Sequence, residues 1–341
     1  MNGVHEISKP YLLLIGDTDN PINTKTAFGL RDWVPDACLG QLRFVDGAVD
    51  IGLAELSLRE AVARGAKTLV IGIAPPGGQL PISWHAVLID ALEAGLDLAG
   101  GLHQRLNGIS EIAICAKRLG RRIHDVRHCD TVFPVGTGIP RSGLRLLTVG
   151  TDCVVGKKYT ALAIAKEMAN RGRRVDFRAT GQTGILISGR GIAVDAVVSD
   201  FLSGAAEALS PANVADHWDI IEGQGSLFHP GYAAVTLGLV HGSQPDALVL
   251  CHDLARKALA SFSHVPIVSL EHAISAYLSA AHLTNPRARF VGVALNTSSL
   301  STGAAREILK RTSDHLELPC VDPIRTGVES IVSALEHFDA R

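Results

Sequence analysis

Residues 146–160 read Leu-Leu-Thr-Val-Gly-Thr-Asp-Cys-Val-Val-Gly-Lys-Lys-Tyr-Thr: an apolar strand, a glycine-bounded turn and a lysine pair opening a helix. That order makes an anion cradle. N–H groups of the turn converge, the helix start adds a partial positive charge and Lys157 a full one, so the expected ligand is a phosphate chain. The cradle is expected to use Gly150, Thr151, Asp152, Cys153, Val154, Val155, Gly156, Lys157, Lys158, Tyr159 and Thr160. Lys158 stands where such loops usually carry the Ser or Thr that ligates Mg²⁺. A second ammonium cannot ligate the ion and repels it, and Thr160 can substitute only if the loop is reshaped. The spelling therefore predicts an anion site balanced by two lysines, with no metal. Cys153 reads as a small filler, although a thiol in such a loop can have a lowered pKa.

Asp219-Ile220-Ile221-Glu222-Gly223-Gln224-Gly225-Ser226 is a strand ending in an acid within a glycine loop. Gly223 and Gly225 permit close backbone approach, and Glu222 can take a proton from an amine if burial raises its pKa. The competing reading has it tying down the turn. Arg178-Ala179-Thr180-Gly181-Gln182-Thr183-Gly184 follows the preceding strand. Arg178 and Arg190 are candidates for gripping a carboxylate, with Gln182 beside them. Asp195 and Asp200 sit in an apolar stretch that reads as helix or strand, where an acid must be paired or functional. Ion pairs to Arg178 or Arg190 and a catalytic role are both open. His229 precedes a Pro-Gly-Tyr turn and receives a supporting role at the substrate. His229 and His241 flank a short apolar helix, neither shows a metal-ligand spacing, and no Gly-x-Ser-x-Gly elbow is present.

The elements that must hold these residues are α/β throughout. Strand-like runs fall at 11–15, 68–73 and 122–126, and helix-like runs at 54–64, 84–94 and 109–119, with Leu56, Val62 and Ala63 on one face and Gly65 as a stop. Such alternation predicts a parallel sheet covered by helices. Pro75-Pro76-Gly77-Gly78, just past a strand's carboxyl end, is a candidate ligand loop. Residues 133–143 read as a linker. Beyond it, a helix over 157–170 places Ala161, Ile164, Ala165 and Met168 on one face and stops at Gly172; strands follow at 175–178, 219–221, 247–251 and 290–295. Two domains are expected, 1–136 and 137–341.

Composition narrows the function classes. The chain has 341 residues, 47% hydrophobic and 19% charged, and a net charge of −2 without a basic stripe, which disfavours nucleic acid as a partner. No apolar run is long enough to span a membrane, and no export signal is visible at Met1–Glu6. Six cysteines without CxxC spacing read as reduced thiols, so a cytoplasmic protein is expected. The high apolar content favours a homo-oligomer.

The Gly-Thr-Asp-x-x-Val-Gly-Lys spelling resembles the P-loop of the dethiobiotin synthetase class, in which the longer glycine spacing and a Glu-Gly-x-Gly strand also occur. That likeness implies that Asn296, ending a later strand, hydrogen-bonds an adenine edge. It also keeps an ATP- and Mg²⁺-dependent ligase or kinase as the alternative. Residues 150–158, 178–184, 191–207, 221–230 and 238–246 together resemble a two-domain family long filed as of unknown function, later assigned as D-glutamate (D-amino acid) N-acetyltransferases. The resemblance implies an N-terminal Rossmann-like domain, a C-terminal P-loop NTPase-like domain with a mainly parallel sheet, acetyl-CoA as donor and a small amino acid as acceptor. Coenzyme A carries phosphates yet needs no metal for acetyl transfer, in keeping with Lys158. Within that reading Glu222, Asp195 or Asp200 is the base, and Arg178, Gln182, Arg190, Gly223, Gly225 and His229 surround the substrate.

Overall fold

The computed structural model describes residues 5–74 and 78–338. Pro75–Gly77 of the proposed N-terminal ligand loop lie outside them. The chain divides into two compact units: residues up to 131 joined by 181–196, and residues 132–180 joined by everything after 196. Where the sequence suggests one boundary, at 136, the contacts thus place three.

The N-terminal unit is a five-stranded parallel sheet. Its order is Cys38–Arg43, Tyr11–Gly16, Thr68–Ile71, Asp97–Gly100, Ile123–Asp125, the 2-1-3-4-5 arrangement of a doubly wound fold. Tyr11–Gly16 and Thr68–Ile71 are buried at every position, as parallel strands covered on both faces must be. Leu12, Leu14, Leu69, Ile71 and Leu98 pack on Leu88, Leu92, Ile112 and Cys115 of two helices, His85–Glu93 and Ser110–Leu119. At the switch point the indole of Trp84 lies against Gly16 and donates to Asp17 Oδ1 at 3.2 Å, filling the crevice beside the first strand's end.

The segment 181–196 completes this unit. Helix Gln182–Ser188 buries Ile185, Leu186 and Ile187 and lies against helix Lys25–Trp33. Arg190–Gly191 pairs antiparallel with His5–Glu6. Lys9 Nζ donates to the Ile187 carbonyl at 2.7 Å, and the Tyr11 hydroxyl to that of Leu186 at 3.0 Å.

The C-terminal unit is a six-stranded parallel sheet in the order Cys320–Val321, Arg289–Asn296, Ala247–Asp253, Leu144–Gly150, Trp218–Ile221, Val175–Arg178. Leu144–Gly150 is central, so the glycine turn opens at the middle of the carboxyl edge. Helix Lys157–Asn170 covers one face, setting Ala161, Ile164, Ala165 and Met168 on Leu144, Leu146, Ile220 and Val249. Residues 133–143 hold no regular element yet are tied down. Thr137 and Gly138 donate N–H bonds to Glu207 Oε1, and Arg141 reaches the carbonyls of Ser210 and Gly242.

Three expectations are corrected. The helix drawn over 54–64 is only Leu58–Ala63, because Ser57 caps it in a reciprocal pair with Glu60; Leu56 is buried ahead of it and Ala63 is exposed. The apolar stretch around Asp195 and Asp200 is neither helix nor strand but two short 3-10 turns, Val194–Ala196 and Ser199–Phe201, with both acids in solvent. His241 does not flank the apolar helix but belongs to its last turn, in Ala233–Ser243.

Candidate functional site

The loop between Gly150 and Lys157 leaves its two lysines without a direct ion pair among the described residues, although Asp152 is paired with Arg256. Gly156 (φ 102°) opens helix Lys157–Asn170 with no side-chain cap, leaving first-turn N–H groups available to an anion. Lys157 is buried, and its Nζ donates to the carbonyl of Asp152 at 2.7 Å. Burial pushes the pKa of Lys157 down, and that of Lys158 likewise; Lys158 Nζ stands 4.7 Å from the Tyr159 ring centre. Among the described residues neither ammonium has a carboxylate within salt-bridge distance. Glu222 acts on both ammoniums without direct contact, and Asp152 on Lys157, but burial outweighs them, so charging the pair is costly until an anion arrives.

The rest of the loop is held by packing and hydrogen bonds. Val155 is buried in the core while Val154, 78% exposed, takes φ 56°, a strained conformation for a β-branched residue. Thr151 Oγ1 pairs with His252 Nδ1 at 2.9 Å, and its N–H donates to the Cys251 carbonyl. The hydroxyl of Thr160 donates to the Gly156 carbonyl at 3.0 Å and accepts from the Cys251 thiol. Burial raises the Cys153 thiol pKa, with Lys157 pulling weakly the other way, which corrects the lowering that loop position suggested.

Glu222 stands next to this cradle. Its strand Trp218–Ile221 pairs with Leu144–Gly150, and its carboxylate is buried, accepting the Thr180 N–H at 3.0 Å while Thr180 Oγ1 donates to the Glu222 carbonyl at 2.7 Å. Gly223 follows, its N–H donating to Thr148 Oγ1 at 3.0 Å. A Cβ here would strike the Thr148 carbonyl and crowd the Lys157 stem. Gly223→Ala is therefore expected to lower stability by about 2–3 kcal/mol, read as a fall in urea midpoint with unchanged slope. Gly225 (φ 64°) admits no side chain against the Tyr232 carbonyl.

Other candidates fall in different places. Arg178 donates to Asp219 Oδ1 at 2.7 Å and lies 3.0 Å from Asp176, with His217 alongside; its charge is balanced by carboxylates of its own sheet, not held out for a ligand. Asn296 donates to Asp253 Oδ2 and accepts the Ser298 N–H, at the carboxyl end of its strand. His229 is buried, accepts the Gly231 N–H at Nδ1, stacks on Tyr232 at 4.6 Å and meets Phe262 edge-on at 5.0 Å. Asp152, Cys153 and His229 bring their ligand atoms within 4.8 Å of one another, but Asp152 already holds the Arg256 guanidinium at 2.8 Å. Gln182, Arg190 and Asp195 belong to the N-terminal unit, where Gln182 packs on Gly101 and its amide, suitably oriented, bonds Gly101 and Arg127.

Several residues at the loop escaped the sequence reading. Tyr277, deep in helix Leu270–Ala281, donates to the Gly150 carbonyl at 2.8 Å, and burial pushes its pKa up to about 12. Thr180 and Arg256 sit two or three residues beyond a strand's carboxyl end, and His252 is the next-to-last residue of strand Ala247–Asp253. That position was a usable signal; for Tyr277 there was none.

Comparison with known proteins agrees with this architecture. Residues 134–332 match the family DUF1611, described as a P-loop domain of unknown function, and residues 43–129 match its Rossmann-like companion, DUF1611_N. A D-glutamate N-acetyltransferase of Pseudoalteromonas sp is 48% identical over 97% of this chain and 99% of its own length. One of Tritonibacter scottomollicae is 47% identical over 96% and 99%. The crystal structure of a DUF1611 family protein from Anabaena variabilis shares 33% identity, covers 97% of this chain and 100% of its own, and superposes with a TM-score of 0.81. With both halves matched in chain order and relatives aligned end to end, this chain belongs to the DUF1611 family, whose Rossmann-like and P-loop domains it carries.

Proposed function

We propose that the protein transfers an acetyl group from acetyl-CoA to the amine of D-glutamate. Full-length relatives at 47–48% identity that are D-glutamate N-acetyltransferases support an acyltransferase activity. The observation that carries the donor is the lysine pair at an uncapped helix start, Lys157 buried and Lys158 half-buried. They fit the phosphates of coenzyme A, and Lys158 in place of a hydroxyl disfavours a nucleotide that must bring Mg²⁺. When bound, the thioester supplies an electrophilic carbonyl. Lys157, Lys158 and the first-turn N–H groups neutralise the phosphates and fix the cofactor's position, which supplies much of the acceleration. Glu222, buried beside them and oriented by Thr180, takes the proton from the substrate ammonium.

Asp195 and Asp200 are exposed, away from the buried carboxylate of Glu222. Asp195→Asn and Asp200→Asn are expected to hold turnover within about threefold and stability within about 0.5 kcal/mol, by thiol-release kinetics and thermal melts. The six unpaired cysteines suit a reducing compartment, and we place the activity in the cytoplasm. Among the described residues no helix is long and apolar enough to cross a membrane. Light scattering tests the expected homo-oligomer.

The deciding experiment measures free thiol released from acetyl-CoA against a panel of D- and L-amino acids in EDTA. Release with D-glutamate alone or foremost is expected. Magnesium-dependent ATP binding in a calorimeter, with no heat from acetyl-CoA, would establish the ligase or kinase instead.

A further inference from the structure

After strand Ala247–Asp253 the chain makes a small hairpin, Ala258–Leu259 against Phe262–Pro266, whose base is closed by the Ile267 N–H on the Lys257 carbonyl at 3.1 Å. What holds it to the phosphate loop is Asp152. This carboxylate is fully buried; Oδ1 accepts the Cys153 N–H, and Oδ2 accepts both Arg256 Nη1 at 2.8 Å and the hairpin's Ala260 N–H at 2.7 Å. Three bonds occupy it, and its charge is cancelled by Arg256, whose side chain is 25% exposed. A negative charge at the centre of an anion cradle opposes phosphate binding unless neutralised in this way. The hairpin so held presents Phe262 edge-on to His229.

We propose that Asp152 and Arg256 form a latch that fixes the hairpin Ala258–Pro266 as a rigid wall of the phosphate site, making Asp152 a positioning residue and not a cofactor ligand. The proposal rests on the reading of this loop as the acetyl-CoA site. In the latched protein the bond after Lys257 is protected, because its carbonyl belongs to the hairpin's hydrogen-bond ladder.

The test uses the full-length protein with Asp152→Asn, Arg256→Gln and the double variant. Trypsin cleavage after Lys257, followed by mass spectrometry without ligand, is expected to accelerate about tenfold in either single variant. The KM for acetyl-CoA should rise about tenfold while kcat falls by no more than about threefold. The double variant should be no worse than the worse single, since one interaction is lost in all three; two independent contacts with the cofactor would instead multiply to about a hundredfold. Arg256→Lys should restore part of the protection. Unchanged cleavage in both singles, multiplied KM effects, or a released hairpin with an unaltered KM each overturns the latch. Should Asp152→Asn fail to fold, the variants of the partly exposed Arg256 carry the same comparison. Cleavage is read without cofactor, so a wild-type protein that ignores acetyl-CoA defeats the underlying reading and leaves the hairpin result standing.

Discussion

Lys157→Ala is expected to weaken acetyl-CoA binding by about a hundredfold or more, the roughly 3 kcal/mol carried by a charge-assisted contact in a desolvated site. The same substitution should leave the ligand-free protein as stable as before, or raise its melting temperature. Both halves follow from one geometry: the ammonium is buried, and it donates to the Asp152 carbonyl with no direct ion pair among the described residues. Burial holds its pKa below the ordinary 10.5. A group whose folded pKa is depressed contributes stability that is present above the unfolded value and lost as pH falls through the folded one. The free protein should therefore gain stability as pH climbs through the window just below 10.5. Phosphate reverses the preference by favouring the charged form, so affinity for acetyl-CoA should fall over that window and binding should take up protons. Calorimetry in buffers of different ionisation enthalpy reads that uptake directly. A variant that binds acetyl-CoA like wild type removes the loop from the reaction.

Glu222→Gln is expected to lower kcat by about 10²–10⁴-fold, the usual range for a lost general base, with acetyl-CoA affinity largely kept. The substitution is nearly isosteric, and the amide oxygen can still accept the Thr180 N–H, so the turn that carries it should persist. A variant with wild-type turnover assigns proton removal to another group. One that loses cofactor affinity and turnover together assigns Glu222 to the architecture of the loop, the competing reading of its sequence position.

Much of the fold was legible because it is written locally. Helix Lys157–Asn170 and strand Val175–Arg178 fall where periodicity and the glycine stops place them, since apolar spacing and a left-handed Gly172 act within a few residues. The strand-turn-helix of the P-loop was legible for the same reason. Long-range pairings were not. Nothing near Arg178 announces that Asp219, on a neighbouring strand, claims its guanidinium. Asp195 and Asp200 sit among valines and alanines, yet two short turns carry their side chains to solvent. Asp152 looked like a cradle residue because its partner lies a hundred positions onward, in a hairpin whose short strands give little periodic signal.

The interleaving of 181–196 with the first 131 residues sets an order of events during synthesis. A ribosome that has released residue 131 has released an α/β layer still missing its helix Gln182–Ser188 and the partner of strand His5–Glu6. That layer must wait, with the surface destined for Ile185, Leu186 and Ile187 uncovered, until residue 196 clears the exit tunnel. A gene cut after residue 131 should accordingly yield a product that chaperones retain, and restoring solubility should require the later segment in trans.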